Sequence, residues 1–308
     1  MAPGNSVNVA VVGAGSIGSR HQRILERLGH KVSVVSANSP DAEFRSLAEA
    51  LDKKSFDYVV IASQTSRHFD DFKTLIKNRF EGRVLIEKPL FATHHPLTSN
   101  NFQFSAVGYN LRFHPAVAWL KNNLPQLGAI SSATFYVGKY LPTWRPNIDY
   151  KKSSSATDAI GAGVLRDLSH ELDLAQNLFG DWQQLTALGG KFSDLEISTS
   201  DTFSILMHAA SCPVLSIQMN YLDRIDQRFV TVNGNNGTIK IDFVANIARL
   251  NEDEVKFDVD TDQTYIAQHQ AIISSDSNDI CSLTEALKVV TTIDAIEKSA
   301  RQQQWVRL

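Results

Sequence analysis

The sequence predicts two domains: an α/β domain with a doubly wound parallel sheet, followed by an α+β domain with a mostly antiparallel sheet. The chain has 308 residues, which is more than one hydrophobic core usually serves. Its first third alternates short apolar runs with helical patterns. From about residue 128, apolar and polar residues alternate with a period of two, as in strands with one buried face. We therefore expect domains at residues 1–113 and 114–308.

Short β-branched runs define the strands of the first domain. We expect strands at Val7–Val12, Lys31–Ser36, Tyr58–Ser63 and Val84–Ile86, with a helix at His68–Phe80. The second domain has alternating runs at Ser204–His208, Val214–Met219 and Thr238–Phe243, and helical patterns at Val164–Phe179 and Leu283–Ile296. The stretch from Lys139 to Ala162 has no clear periodicity, and loops of that length are usually functional.

Composition narrows the class of protein. Hydrophobic residues make up 43% of the chain and charged residues 20%, which is ordinary for a globular enzyme. A net charge of −3 gives no electrostatic reason to expect a nucleic acid or an anionic membrane as partner. The two cysteines, Cys212 and Cys281, form no CxxC pair, and no apolar run approaches membrane-spanning length. We therefore expect a cytoplasmic protein.

A glycine-rich segment follows the first predicted strand and opens the first helical pattern. It reads Gly-Ala-Gly-Ser-Ile-Gly and matches the dinucleotide fingerprint G-x-G-x-x-G. In this context the three glycines allow a tight turn, close approach of a pyrophosphate, and helix–strand packing. The pattern therefore predicts a Rossmann domain that binds a dinucleotide through Gly13, Gly15, Ser16, Ile17 and Gly18.

The end of the second strand predicts which dinucleotide is preferred. An acidic residue there would bind the ribose hydroxyls and repel a 2′-phosphate. This chain has Ser36 and then Ala37, Asn38 and Ser39, and its first acid is Asp41. The neutral groups favour NADP over NAD, although the nearest cation that could hold the phosphate is Arg45.

Two further segments carry a more specific signature. Residues 61–68 read Ile-Ala-Ser-Gln-Thr-Ser-Arg-His, and Glu87-Lys88-Pro89 follows the Val84–Ile86 run directly. Together with the glycine fingerprint and the Gly161–Asp173 segment, they resemble the Gfo/Idh/MocA family of oxidoreductases. The resemblance covers nearly the whole chain. It implies a Rossmann domain, then a C-terminal α+β domain whose open, mostly antiparallel sheet commonly joins subunits.

The family resemblance implies a catalytic lysine and a catalytic histidine that flank the reacting carbon, here Lys88 and His170. Histidine is suited to moving the hydroxyl proton, and an ammonium can polarise the substrate oxygen. Asp167 and Asp173 lie at i−3 and i+3 from His170, so either carboxylate could orient the imidazole; we assign Asp167. Successive and i+3 positions do not converge on a cation, so no metal site is expected.

Further residues are assigned to the cofactor and to the substrate. The cofactor set beyond the glycines is Ser36, Thr65, His68, Glu87 and Lys88. The loop around Trp144 resembles a subgroup associated with bacterial surface-polysaccharide or nonulosonic sugars, and the substrate set is Arg112, Lys139, Trp144, Arg145 and Asp173. The basic members would bind an acidic sugar or sugar nucleotide. Equally, Trp144 could simply pack the loop and Arg145 could pair with Asp149.

The expected function is an NAD(P)-dependent oxidoreductase that transfers a hydride at a carbinol carbon of a sugar, sugar acid or nucleotide sugar in bacterial surface-glycan biosynthesis. Two alternatives stay open. One is a redox-neutral, glycosidase-like use of bound NAD, and the other is a dinucleotide-sensing regulator that does no chemistry. Lys88 and His170 argue against the regulator, because a sensor does not need a proton-transfer pair. The resemblance also implies a homo-dimer or homo-tetramer formed through the C-terminal sheet.

Overall fold

The computed structural model describes residues 6–145, 149–157 and 161–308. The chain forms two compact units. The first comprises residues 1–110 and 261–287, and the second comprises residues 111–260 and 288–308. A single boundary after residue 113 therefore misses the later segment that belongs to the first unit. Two parts of the aperiodic stretch from Lys139 to Ala162, residues 146–148 and 158–160, lie outside the described residues.

The first unit is built on a parallel sheet of five strands in the order β2-β1-β3-β4-β5. Its strands are β1 (Asn8–Val12), β2 (Lys31–Val35), β3 (Tyr58–Ile61), β4 (Arg83–Ile86) and β5 (Phe104–Val107). Its helices are α1 (Ser16–Arg27), α2 (Leu47–Lys53), α3 (His68–Lys77) and, from the later segment, α7 (Gln263–Ser274). The central strands are buried on both faces, which explains their continuous apolar runs. The predicted doubly wound α/β sheet is confirmed.

Helix α7 has no counterpart among the sequence-based predictions. Its buried face includes Thr264, Gln268 and His269, so it lacks the apolar periodicity that marks an amphipathic helix. Polar contacts attach it to the first unit instead. The side-chain amide of Gln268 donates to the Val107 carbonyl at 3.3 Å, and His269 binds residues from two other elements.

The second unit contains a mixed sheet. Within the described residues its strand order is β13-β12-β11-β10-β6-β9-β8-β7-β14. Its helices are α4 (Pro115–Asn123), α5 (Val164–Asp167), α6 (His170–Phe179) and the greater part of α8 (Leu283–Gln302). Its strands are β6 (Ile130–Gly138), β7 (Trp182–Gly190), β8 (Thr202–Ala209), β9 (Cys212–Asn220), β10 (Gln227–Gly234), β11 (Gly237–Asp242), β12 (Ile247–Leu250), β13 (Asp253–Lys256) and β14 (Val306–Arg307). Only the β6–β9 pair is parallel among these, so the prediction of a mostly antiparallel sheet is confirmed.

The two faces of this sheet differ. Odd-numbered positions such as Phe135, Ile205 and Ile217 are buried. The opposite face exposes apolar side chains on three neighbouring strands, Leu188, Leu206 and Val214, which are 72%, 49% and 55% exposed.

Among the described residues, no helix has both the length and the apolar composition needed to cross a membrane.

The helical pattern at 164–179 contains two helices where the sequence predicted one. Helix α5 ends at Asp167 and α6 begins at His170, with Ser169 as its N-terminal flanking residue. Leu168 ends the first helix with φ −103° and ψ 24°, outside the helical region. The apolar periodicity continues across the break because both helices bury residues against the same unit, and periodicity alone does not show an interruption of two residues.

Candidate functional site

The glycine fingerprint forms the turn between β1 and α1, and two of its glycines are required by the fold. Gly13 has φ +110°, and a Cβ there would lie 2.3 Å from the carbonyl oxygen of Ala62. A Cβ on Gly18 would lie 2.0 Å from the carbonyl oxygen of Gly13. Both obstacles are backbone atoms that cannot rotate away. These two glycines therefore let α1 and the ends of β1 and β3 come together.

Gly15 differs from the other two glycines, because a Cβ at this position would meet no protein atom within 4 Å. Its backbone is extended, with φ −77° and ψ −176°, so the protein itself does not require glycine here. Gly15 also caps α1 without a side-chain hydrogen bond, and the first turn carries no acidic residue. The backbone at Gly15 therefore stands beside open space at the start of α1, an arrangement that fits the pyrophosphate of a dinucleotide.

The segment after β2 carries no carboxylate next to Ser36. The Ser36 hydroxyl accepts a hydrogen bond from the Asn38 amide at 3.4 Å. The guanidinium of Arg45 donates to the carbonyl of Ser39 at 2.5 Å, which places a cation at the same loop. This is the position where the ribose of a dinucleotide is read in Rossmann domains.

His68 ties together the loops that follow β3 and β4. Its ring nitrogens lie 3.1 Å from the Ser63 carbonyl and 3.0 Å from the Pro89 carbonyl, and the residue is only 1% exposed. Burial lowers the pKa of the imidazole despite these hydrogen bonds. His68 therefore holds these two loops together from within, whereas Thr65 stands half-buried in the turn that follows β3.

The Glu-Lys-Pro segment follows β4 at the carboxyl edge of the sheet. Glu87 is buried, and its carboxylate accepts hydrogen bonds from His21 at 2.9 Å and from the backbone N–H of Lys88 at 3.1 Å. Burial alone would raise the pKa of this carboxyl, but the His21 hydrogen bond and neighbouring positive charge outweigh it, and the pKa is lowered. Lys88 is half-buried and is joined to Pro89 by a cis peptide bond.

In the second unit, His170 is the first residue of α6 and is half-buried. The expected i−3 relation to Asp167 on one helix face is wrong, because the helix is interrupted between the two residues. The Asp167 carboxylate instead accepts a hydrogen bond from the hydroxyl of Tyr221 at 2.6 Å. Burial, followed by the charge of Asp167, raises the pKa of Tyr221 well above its usual range, so this hydroxyl keeps its proton. The sequence analysis missed Tyr221, which lies 54 positions away.

Arg112 and Asp173 form a buried ion pair. The guanidinium donates from Nε at 2.9 Å and from Nη2 at 2.7 Å to the two carboxylate oxygens. The residues are 2% and 0% exposed. This geometry disfavours the prediction that Arg112 and Asp173 bind the substrate, because both charges lie inside the unit and face each other. Asp173 is likewise occupied by the guanidinium, which disfavours it as the group that orients His170.

The loop residues of the predicted substrate set lie near the surface. Lys139 pairs with Asp226 at 2.6 Å. The indole N–H of Trp144 donates to the Lys139 carbonyl at 3.1 Å, and its ring meets Tyr221 edge-on at 5.1 Å between centroids. Trp144 therefore packs the loop. Arg145 lines a small pocket with Tyr150, and no ion pair joins it to Asp149 in the described part of the chain.

No group of three or more potential metal ligands occurs among the described residues.

A search of the curated proteins found no match. Two family models match the chain. The model described as "Oxidoreductase family, NAD-binding Rossmann fold" matches residues 7–99, and the one described as "Oxidoreductase family, C-terminal alpha/beta domain" matches residues 134–308.

Solved structures share the fold over almost the entire chain. Levoglucosan dehydrogenase in complex with NADH has a TM-score of 0.86 at 18% identity, with 98% of this chain and 99% of that chain covered. GenD2 from gentamicin A biosynthesis, in complex with NAD, has a TM-score of 0.81 at 20% identity, covering 100% and 98%. The WlbA dehydrogenase from Bordetella pertussis, in complex with NADH and UDP-GlcNAcA, has a TM-score of 0.79 at 19% identity, covering 99% of each chain. With a family model matched over more than half of its length, the chain belongs to the Gfo/Idh/MocA family of oxidoreductases.

Proposed function

We propose that the protein is an NAD(P)-dependent dehydrogenase or reductase acting on a CH–OH carbon of a sugar, sugar acid or nucleotide sugar, in the cytoplasm and in bacterial surface-glycan biosynthesis. The observation that carries the proposal is the position of Lys88 directly after β4, at the carboxyl edge of the sheet. Strand β4 lies next to β3, and the residue after β3, Ala62, lies against Gly13 of the glycine turn. Ligands of open α/β sheets bind at this edge. The two cysteines are free and buried, which fits a reducing compartment.

The residues would divide the chemistry between them. When bound, the nicotinamide supplies the acceptor or donor of the hydride. In the oxidation direction the Lys88 ammonium polarises the substrate hydroxyl, and the His170 imidazole accepts its proton as the C–H bond is broken. Asp167, which accepts the hydrogen bond of Tyr221, is assigned to the catalytic set with them. In reduction each of these proton movements runs in reverse.

Known dehydrogenases of similar fold support the sugar class. One of them is named for levoglucosan, and another was solved with UDP-GlcNAcA. For this chain we further propose a preference for NADP, supported by the absence of an acid next to Ser36 and by the Arg45 guanidinium at the same loop. An acidic side chain at this position would repel the 2′-phosphate, and none is present between residues 36 and 40.

Titration of the purified protein with NADPH and NADH tests the cofactor, and nicotinamide absorbance across a panel of acidic sugars and sugar nucleotides tests the reaction. Tight binding with turnover supports the proposal, and tighter binding of NADH than of NADPH overturns the NADP preference. Dinucleotide that co-purifies and shows no net absorbance change points to redox-neutral chemistry. Binding without turnover of any substrate points to a sensor.

A negatively charged substrate is supported by Arg145. Its guanidinium has no carboxylate partner at ion-pair distance among the described residues, and it lines a pocket in the loop that resembles the surface-glycan subgroup. We expect Arg145→Ala to raise KM for the true, anionic substrate roughly 10- to 100-fold, as expected for loss of a charge-assisted hydrogen bond. Steady-state kinetics on that substrate and on a neutral analogue measure the effect. An equal rise for both would contradict the charge assignment.

The open sheet face supports a homo-dimer or homo-tetramer. Leu188, Leu206 and Val214 alternate along three adjacent strands with polar residues such as Ser204 and Gln218. Several large apolar side chains exposed on one sheet face favour an interface at that face. In a symmetric pair the same patch would be covered by a second copy of itself.

We expect Leu206→Glu to dissociate the oligomer, because it places a charge within the patch and its copy in the opposing one. Size-exclusion chromatography with light scattering should give a multiple of 34.1 kDa for the wild type and a smaller mass for the variant. Val244→Glu, at an exposed turn residue away from these strands, is the control and should keep the wild-type mass. A monomeric wild type would remove the oligomer from the proposal.

A further inference from the structure

Four buried polar side chains of the first unit form one continuous hydrogen-bonded line, which we call the Tyr58–Glu87 chain. The Tyr58 hydroxyl lies 2.9 Å from His269 Nδ1, His269 Nε2 lies 2.9 Å from His21 Nδ1, and His21 Nε2 lies 2.9 Å from Glu87 Oε1. Tyr58, His269 and His21 are 0% exposed and Glu87 is 6% exposed. Burying four such groups is costly unless every one of them is satisfied.

The Tyr58–Glu87 chain joins four elements of the first unit. Tyr58 begins β3, His269 lies on α7, His21 lies on α1, and Glu87 follows β4. His21 is one turn beyond Gly18 on the buried side of α1. The line therefore connects the helix that starts at the glycine turn with the strand end that carries Lys88.

The positions of the protons follow from the charges. The lowered pKa of Glu87 makes its carboxylate an acceptor, so His21 Nε2 must donate to it. Burial holds the pKa of His269 well below its usual range, so this ring is neutral and has one N–H. Burial raises the pKa of Tyr58 well above its usual range, so its hydroxyl is protonated.

One arrangement satisfies all four groups. The Tyr58 O–H donates to His269 Nδ1, the His269 Nε2–H donates to His21 Nδ1, and the His21 Nε2–H donates to Glu87. A doubly protonated His21 would reverse the first two bonds, and it would leave the Tyr58 proton without an acceptor among the described contacts. The directed arrangement therefore fixes the tautomer of both histidines.

The Tyr58 end of the hydrogen-bonded line shows whether the line delivers protons or positions a side chain. A proton relay needs access to solvent, and Tyr58 is completely buried. At the near end, the second Glu87 oxygen accepts the backbone N–H of Lys88. Gly108 leaves room for this carboxylate, since a Cβ there would lie 2.8 Å from Glu87 Oε1.

We propose that His21, with its tautomer set by His269 and Tyr58, is a positioning residue that holds the Glu87 carboxylate against the backbone of Lys88 and so fixes the catalytic lysine relative to the dinucleotide-binding helix. The inference rests on the catalytic role proposed for Lys88. It does not rest on proton transfer along the chain. A small displacement of a catalytic group lowers the reaction rate by a large factor. The buried hydrogen bonds that hold Glu87 against Lys88 are therefore expected to affect the rate.

The first test uses His21→Gln, His21→Leu and Tyr58→Phe, with amide hydrogen exchange of Lys88 as the readout. The glutamine can still donate to Glu87, whereas the leucine cannot, and Tyr58→Phe removes only the terminal donor. We expect Lys88 exchange to rise at least about 10-fold in His21→Leu and less in Tyr58→Phe, with partial rescue in His21→Gln, while exchange in β1 stays unchanged. His94→Gln, at an exposed histidine of the same unit that is not part of the Tyr58–Glu87 chain, is the control.

Nuclear magnetic resonance of the imidazole groups tests the tautomers separately. The wild type should show Nε2–H tautomers with slowly exchanging protons for both histidines, and Tyr58→Phe should shift His269 toward a mixture. Wild-type exchange at Lys88 in His21→Leu, or a uniform rise throughout the unit, would overturn the positioning role. If His21→Leu does not fold, the Tyr58→Phe readouts decide in the same way.

Kinetics separate this inference from the proposed function. In an active enzyme, Tyr58→Phe and His21→Gln should lower kcat roughly 10-fold with less than about a 3-fold change in dinucleotide Kd, because the glycine turn retains its own packing. An equal loss in both constants would contradict a role directed at Lys88. If the wild type turns over no substrate but the exchange pattern holds, the proposed function fails and the positioning of Lys88 stands.

Discussion

Replacing Lys88 with methionine should lower kcat by about three orders of magnitude and change the dinucleotide Kd by less than about 5-fold. Methionine keeps most of the apolar stem, so the substitution removes the ammonium with little change in volume. The ammonium is the group proposed to stabilise charge on the substrate oxygen, and losses of this size are typical for such groups. Steady-state kinetics on the identified substrate, together with fluorescence titration of the dinucleotide, measure the two effects.

Lys77→Met is the matched control, because Lys77 is an exposed lysine in the last turn of α3. It should keep wild-type kcat and Kd. A Lys88→Met enzyme that retains more than a tenth of wild-type kcat would remove the lysine from the chemistry. A parallel loss of binding and rate would instead assign Lys88 to holding the cofactor.

Gly15→Ala should fold like the wild type but bind the dinucleotide about 10- to 100-fold more weakly, a loss of roughly 1.4–2.7 kcal/mol. The methyl group meets no protein atom within 4 Å, and the backbone angles suit alanine. Loss of a favourable N-cap glycine and reduced freedom of the unfolded chain roughly cancel. The remaining obstacle is the pyrophosphate, which must approach the backbone at this position. Urea unfolding and dinucleotide titration check both parts.

Gly18→Ala should have the opposite order of effects. Alanine gains about 1 kcal/mol of helix propensity in α1, but its Cβ would lie 2.0 Å from the Gly13 carbonyl oxygen. Overpacking against backbone costs about 3 kcal/mol, so a net destabilisation of about 2 kcal/mol is expected.

An unstable Gly15→Ala protein, or a Gly15→Ala protein with wild-type affinity for the dinucleotide, would contradict the assignment of Gly15 to the cofactor.

The sequence predicted the parts of the first unit whose signals are local. Buried parallel strands are continuous apolar runs, and β1 to β4 lie within a residue or two of their predicted positions. The glycine fingerprint was recognisable because a tight turn between strand and helix restricts residue types at adjacent positions. Helix α7 was missed because its buried face is polar, and its partners lie in elements far away in sequence.

Side-chain pairing was beyond the reach of sequence patterns. His21 and His269 are 248 positions apart, and Arg112 and Asp173 are 61 apart, so no periodicity connects them. Arg112 and Asp173 were recognised as charged residues of interest, but the sequence could not show that each neutralises the other inside the unit. The same holds for Asp167, whose partner Tyr221 directly follows β9.

By itself, the sequence determined the fold class, strands β1 to β4, the glycine turn and the Glu-Lys-Pro strand end, because each depends on neighbours within a few residues. The tertiary structure alone decided that α7 completes the first unit, that the helix before His170 is broken, and which charges are buried against each other. These features depend on distances between residues remote in the chain. These distances are set when whole elements pack together, so the local preferences of the sequence do not predict them.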